Sequence, residues 1–514
     1  MAKEEHYVLP ERVKKLVSLL GEPEKGELNY DGKERPLSRL GALWELKHLE
    51  ETGVLRSPEK RLGVNLHIHT NESFSVFNSP TEAAWEGYAA GLEGLGINDH
   101  YTIAGHREFG EACGILSLKA TFNIEAMAMS EEAKRNGERY NDPKNPGRTY
   151  LCGKGVVHDL EPGSPSGKLL AKMIAAFKRR CEKMTEKVNA LLNEVDPSLN
   201  LSFQDVLKLT PRGNVTERHI AQAVTELVTR RFPKSKNRKA FLTRLIGSFA
   251  EEDLSSEYQY QDLIRNSLLK TGGPAYVEEP PEAFPSIQRI VRLFVDYGAI
   301  PTYPVLGNPV TEKEKDLGSL FDELEGYGIY AVEVIPKRNT RKRLKQILTV
   351  AAKHGFPVFN GTEHNTKTPE PLLDRFSRDP AFLPVFERGA FLVLGHQFLS
   401  RYAGKGYLTR FGELAIKDRR LAVSFLAFAG RLIWPERVLE WLTEIGEGDA
   451  LKVVLGLYSL LAHEEPHELS VKPDFGVSDD LLRRTSVKDD HLVFADGNAK
   501  KELGKVMQRS ITIA

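Results

Sequence analysis

VNLHIHTNESFS, residues 64–75, is the stretch on which the fold turns. Val64, Leu66 and Ile68 alternate with Asn65, His67 and His69, and a period of two predicts a β-strand with one apolar face. Both histidines then share the opposite face, with Cα atoms roughly 7 Å apart at a rise of about 3.3 Å per residue. Imidazoles so spaced can close on one cation at about 2.1 Å each. A solvent-facing strand that happens to carry two histidines is the other reading of these residues alone.

Downstream the apolar runs keep alternating with helical patterns. A helix over Pro80–Leu92 is followed by the strand LGINDH, the helix HREFGEACGILSL and the strand KATFNIEA. Strand and helix in turn predict a parallel α/β sheet or barrel. Residues 130–148 are polar and turn-rich. In Lys168–Val195, Leu170, Met173, Phe177, Cys181, Met184, Val188, Leu191 and Val195 step by threes and fours, the mark of a long helix. Further helices are predicted over Thr216–Phe232 and Arg238–Phe249, so about 145–272 reads as a helical insertion. The alternation resumes through AIPTYPVLG, YAVEVI and FPVFNG with helices between, and beyond about 380 the chain is again helical. Residues 1–60 read as a helical extension with an amphipathic stretch at Leu37–Glu51.

Length and composition narrow the classes. At 514 residues the chain exceeds one ordinary hydrophobic core. Lys+Arg and Asp+Glu balance at 71 each, so no global field points to nucleic acid or an anionic membrane. Cys113, Cys152 and Cys181 lie far apart, which predicts neither a disulfide framework nor a thiolate zinc site and fits a reducing compartment. The N-terminus lacks the pattern of a secretory signal. The longest apolar run, Leu421 to Trp434, is too short to span a bilayer and contains Arg431. The expected location is cytoplasmic, with no membrane partner.

Residues able to do chemistry recur where apolar runs end: His67 and His69, Asp99 and His100, Glu125, Asn308, then Glu363 and His364. In a parallel α/β barrel such ends meet on one rim and build the site. Lys337 and Arg338, after YAVEVI, would face an anionic substrate on that rim; solvated charges at a helix start are the alternative. Arg212 and Lys154, each beside glycine, invite the same two readings. His219 and His396 read as structural histidines.

These stretches resemble the polymerase-and-histidinol-phosphatase (PHP) family of metal-dependent phosphoesterases. Its first motif, roughly HxHTxxSDG, is matched by His67 to Ser75, and its TDH by Asn98-Asp99-His100. Its bridging glutamate is matched by Glu125, its AHP by Gly307-Asn308-Pro309 and its GSDxH by Gly361 to Asn365. Arg218 to Ala221 and Gly273 to Val277 are similar to stretches of longer members. The likeness covers about 61–130 and 210–400. Phe74 and Ser75, Asn308, Glu363 and Asn365 depart from the family pattern, so ligands for at least one metal are lost.

The resemblance implies a distorted (β/α)7 TIM-like barrel over 61–400, interrupted by the helical insertion, with helical N- and C-terminal extensions, the latter over 401–514. It implies a metal-dependent hydrolase in which metal-activated water attacks a small phosphomonoester or nucleotide. Nucleic acid would enter only as a short substrate. His67, His69, Glu125 and Glu363 would hold a first Zn, Mn or Fe ion. A second would share Glu125 and use Asn308 and His158, with His364 a further ligand candidate. His100 would act as acid, base or phosphate partner, and Asp99 would orient an imidazole. The alternatives are a degenerate scaffold that binds a ligand or partner without turnover, and metal-assisted hydrolysis of a non-phosphate bond.

Overall fold

The computed structural model describes residues 11–22, 38–58, 63–210, 212–307, 309–432, 434, 436–461, 485–488, 491–494, 496–499 and 501–502. Asn308 is therefore outside the described residues. Seven strands carry the architecture: β1 (Val64–Ile68), β2 (Gly94–His100), β3 (Lys119–Met129), β4 (Arg148–Lys154), β5 (Ile300–Val305), β6 (Val332–Val334) and β7 (Val358–Asn360). They form one sheet in chain order from β1 to β7. Neighbours are parallel except at β4, which runs antiparallel to both β3 and β5.

The segment after β7 brings the sheet round to β1. Thr362 N and Glu363 N donate to the His67 carbonyl at 3.2 and 2.8 Å, and His69 N donates to the Glu363 carbonyl at 2.9 Å. Gly361 sits at this seam because nothing larger fits: a Cβ there would lie 2.1 Å from His67 Cβ. The result is a nearly closed seven-stranded barrel dressed with helices, a distorted TIM-like barrel.

Every residue of β1 is buried. The alternation in VNLHIH therefore separates two interiors, an apolar layer under the helices and a polar barrel lumen that side chains fill. Outside β1 and β2, Leu43, Leu46 and Leu49 of the helix Arg39–Glu51 pack in one apolar cluster with Tyr88, Leu95, Phe109 and Leu116.

The helical insertion has a core of its own, in which Met184, Val188 and Leu192 of the helix Pro165–Val195 meet Ile220, Val224, Phe241 and Ile264. It starts later than the sequence predicts. β4 lies in the stretch assigned to it, and seven residues of β3 pair with that strand. Beyond the barrel, the helices Leu383–Ala403 and Arg419–Arg431 join the cluster that backs the strands, through Phe386, Ala390, Leu392, Ala422, Phe425 and Leu426. Among the described residues no helix is long and apolar enough to cross a membrane.

Candidate metal centre

His67 is the fourth residue of β1, and its period-two position turns the imidazole into the lumen; His69 follows just past the strand's end. Glu125 lies in the middle of β3, opposite His100 at the end of β2. Their ligand atoms converge. His67 Nε2 and His69 Nε2 are 3.2 Å apart, and each lies 3.3 Å from Glu125 Oε2. A tetrahedron with vertices about 2.0 Å from its centre, the Zn–N and Zn–O range, has edges of about 3.3 Å. The three atoms thus describe one face of such a tetrahedron, and two imidazoles with one carboxylate are a donor set for a divalent transition metal.

The surroundings fix this triangle. Glu333 Oε2 lies 2.8 Å from His67 Nδ1 and accepts its proton, so the Nε2 lone pair faces the other ligands. Glu333 Oε1 takes Lys154 Nζ at 2.7 Å, and the same ammonium donates to Leu66 O and Asn98 Oδ1. Both ions are fully buried. Such a pair persists because removing one partner strands a buried charge, at about 3–5 kcal/mol. Asn98 Nδ2 also lies 2.9 Å from His67 Nε2, so a cation would take that lone pair over from the amide.

Asp99 works at one remove. It accepts Thr70 N and Thr70 Oγ1 at 2.7 Å each and Ser73 Oγ at 2.6 Å, while Ser73 Oγ contacts His69 Nδ1 at 3.1 Å. The carboxylate pins the loop that orients His69; it is buried away from the cavity and has no direct catalytic position.

Charge and burial compete strongly here. Burial alone would raise the Glu125 carboxyl, but His100, His67 and His69 hold it well below the usual carboxylate range. Burial alone would lower His67, and the Glu333 carboxylate outweighs it, so its pKa is raised; a cation at Nε2 would take the place of the proton this favours there. His100 is pushed down to about 4 by burial. Its Nδ1 lies 3.5 Å from Glu125 Oε2 and has no hydrogen-bond partner among the described residues.

A second group of donors, Cys152 and Glu333 with His67 Nδ1, lies behind the ring. It is not a comparable site. Lys154 already neutralises Glu333, and burial pushes the Cys152 thiol up to about 11, which keeps it protonated.

Glu125 of the triangle and the neighbouring His100 border a cavity of about 930 Å3 between the barrel rim and the insertion, while His67 and His69 are fully buried behind them. The rim supplies His100, Glu125, Tyr150, Arg338 and Glu363; the insertion supplies Arg180, Arg218, Arg265 and Lys270. Glu217 takes Arg265 and Lys270 at 3.0 Å each, with Arg180 at 3.8 Å. With Asp262 4.0 Å from Arg265, two carboxylates meet three cations, which leaves one positive charge in excess. Arg218 adds to it: its guanidinium lies 5.7 Å from the centre of the Phe74 ring and has no hydrogen-bond or ion-pair partner among the described residues.

No protein-family model matches this chain. No curated protein matches it either. Among solved structures it is similar to a Bifidobacterium adolescentis protein provisionally described as a metal-dependent phosphoesterase, at 19% identity and a TM-score of 0.42, over 64% of this chain and 96% of the other. It is also similar to an amidohydrolase from Chromobacterium violaceum with bound sulfate and no metal, at 14% identity and a TM-score of 0.41, over 63% and 95%. Likenesses of this size assign neither substrate nor residues.

The other predicted site residues scatter. Glu363 borders the cavity, but its carboxylate is held by Arg338, with Nη1 2.8 Å from Oε1 and the second Nη on Oε2, and by Asn365 Nδ2 at 3.2 Å. It is not a fourth member of the triangle. His364 spends both ring nitrogens, on Thr362 Oγ1 at 2.7 Å and the Glu370 carbonyl at 2.9 Å, and stacks on Phe77, so it is no ligand. His158 is exposed at the opposite end of the barrel, beside Gly298, because β4 runs antiparallel and its C-terminus points away from the rim. Lys337 pairs with Glu370 and does not line the cavity, whereas Arg338 does. Arg212 bridges Glu72 and Glu108. His219 accepts from Thr216 N in a helix cap, and His396 bonds the Gly298 carbonyl and Tyr407 N.

Glu333 and Lys154 were not among the predicted ligand-orienting residues. Their signal is in the sequence: a lone Glu inside YAVEVI and a lone Lys after YLCG, single charges in runs otherwise fit for burial. Buried charges of this kind are paired or bound.

Proposed function

We propose that the chain is a metal-dependent hydrolase, and specifically a phosphoesterase acting on a small, multiply charged anionic substrate such as a phosphomonoester or nucleotide. One observation carries the reading: the 3.2–3.3 Å triangle of His67 Nε2, His69 Nε2 and Glu125 Oε2 meets, through Glu125, a cavity whose far wall is basic. A divalent ion held there supplies Lewis acidity, acidifying a water and screening the charge of an oxyanion.

The chain's own residues supply the rest. Arg218, Arg265 and Lys270 line the cavity, and their positive charges draw the anion in and orient it. His100, neutral through burial and open at Nδ1, stands where it can accept the proton of the attacking water and return it to the leaving alcohol. Water adds to phosphorus as the P–O ester bond breaks, and the products are an alcohol and inorganic phosphate. The barrel of the resembled PHP family is consistent with this chemistry, and the one-ion donor set is a reduced version of that family's site.

A phosphate-release panel with Mn²⁺ or Zn²⁺ tests the proposal. It should show turnover of at least one phosphomonoester that H67A/H69A abolishes. Metal-bound protein that turns over no phosphoester would favour the ligand-binding scaffold, a reading supported by Arg338 already occupying Glu363. Turnover confined to carboxylic esters or amides would favour the non-phosphate hydrolase.

A further inference from the structure

Glu363 and His364 are consecutive non-glycine residues with φ of 71° and 51°, in the left-handed region that L side chains seldom adopt. Such a conformation persists where its surroundings impose it. Here the backbone hydrogen bonds between residues 362–363 and β1 impose it, and they deliver the Glu363 carboxylate to the cavity beside the histidine pair. A carboxylate so placed is an obvious ligand for a second ion. The structure gives it a guanidinium instead.

Arg338 reaches Glu363 from the turn Pro336–Arg338 that follows β6. The pairing is fork to fork: Nη1 meets Oε1 at 2.8 Å and the other Nη meets Oε2, which Asn365 also contacts. Both oxygens are engaged, and the negative charge that would attract a cation is neutralised. Arg338 is not buried by this. About a third of its side chain (29%) remains exposed, and it lines the cavity. A guanidinium has five N–H donors, of which Glu363 takes two, so three remain for another partner.

We propose that Arg338, clamped on Glu363, is the built-in second cation of this site, a catalytic residue that contacts the substrate's anionic oxygens opposite a single metal ion. The inference rests on the metal-dependent reading above and deepens it. A planar, permanently charged fork suits a phosphoryl group geometrically, and fixing it on Glu363 removes the reorganisation that a free side chain would need as charge develops. Glu363 is then a positioning residue and not a metal ligand. The chain would work with one equivalent of metal.

Elemental analysis of the full chain after equilibration with Mn²⁺ or Zn²⁺, together with kinetics of R338A and R338K, tests this. The wild type should hold about one equivalent. With one equivalent of metal added, R338A should hold it at unchanged affinity yet lose about 100–1,000-fold in kcat, the usual size of a lost oxyanion contact, with part of the loss restored by millimolar guanidinium; in excess metal the freed Glu363 should let R338A take up a second ion that the wild type does not. R338K, which keeps the charge but not the fork, should lose about tenfold or more while also holding one equivalent, and it serves if R338A does not fold. Two equivalents in the wild type, or wild-type kcat in either variant, would overturn the proposal. No metal in the wild type would instead sink the metal-dependent reading itself, so the two failures are distinct.

Discussion

His67 Nδ1 lies 2.8 Å from Glu333 Oε2, while the other oxygen of that carboxylate lies 2.7 Å from Lys154 Nζ. A ligand histidine is thus tied through one glutamate to a lysine fully buried in the barrel lumen. E333Q should lower transition-metal affinity about 10–100-fold, the usual effect of losing a carboxylate behind a ligand imidazole. Chelator competition measures it. K154M should destabilise the fold by about 3–5 kcal/mol by stranding Glu333, and K154M/E333Q should recover much of that stability without recovering affinity. Equal metal affinity in E333Q and wild type would show that Glu333 does not set the ring.

Arg218 lines the cavity wall with no hydrogen-bond or ion-pair partner among the described residues, so removing it breaks no such bond in the free protein and gives up only its contact with the Phe74 ring. R218A should raise KM about 10-fold or more at little change in kcat, because a hydrogen bond to a charged group contributes about 1.5–3 kcal/mol. The effect should shrink as salt is added. Steady-state kinetics at two ionic strengths checks both, and an unchanged KM would remove the insertion from substrate binding.

Gly361 marks how tightly the barrel closes on its site. G361A must push a methyl group into the space of His67 Cβ, 2.1 Å away, and β1 has no room to retreat. Overpacking of this kind costs about 1–3 kcal/mol. The midpoint of thermal unfolding should fall, and metal affinity should fall with it because the displaced residue is the ligand. A loss of stability with affinity intact would mean that the seam relaxes away from His67.

Acid should weaken the fold through buried histidines that are not part of the metal triangle. His396 is buried with both nitrogens satisfied in the neutral form, and burial holds its pKa at about 4 against 6.5 for the unfolded chain. Below pH 6.5 the unfolded chain takes up a proton that the folded chain refuses. The stabilisation is therefore complete above that pH and is lost as pH falls towards 4, by about 2 kcal/mol at pH 5. His219, pushed down to about 3 by burial, acts in the same direction. Urea midpoints at pH 7.5 and 5 should differ by less in H396Q than in the wild type. An equal difference would show that His396 does not contribute.

Much of the barrel is legible in the sequence because its strands are short apolar runs separated by amphipathic helices, and period two in VNLHIH assigns both histidines to one side. What period cannot supply is direction. β4 looks like any other strand, yet it enters antiparallel, so a histidine beyond its C-terminus lands on the wrong end and His158 is stranded there. Nor can spacing choose between partners. Glu333 and Glu363 both stand near the ends of short apolar runs; the register of β6 turns one onto His67, and Arg338 captures the other. Such assignments depend on which charges meet in the closed barrel, which only the packed structure decides. The insertion is legible as helices, but its basic wall is not, because Arg180, Arg218, Arg265 and Lys270 are spread over three separate segments.

The central claim is that His67, His69 and Glu125 hold one ion. Metal content and affinity measured side by side for wild type, H67A/H69A and E125Q test it most directly. The wild type should hold about one tightly bound equivalent of Zn²⁺ or Mn²⁺, H67A/H69A none, and E125Q should bind about 100-fold or more weakly through the loss of a charged ligand. Equal metal content in wild type and H67A/H69A would contradict it.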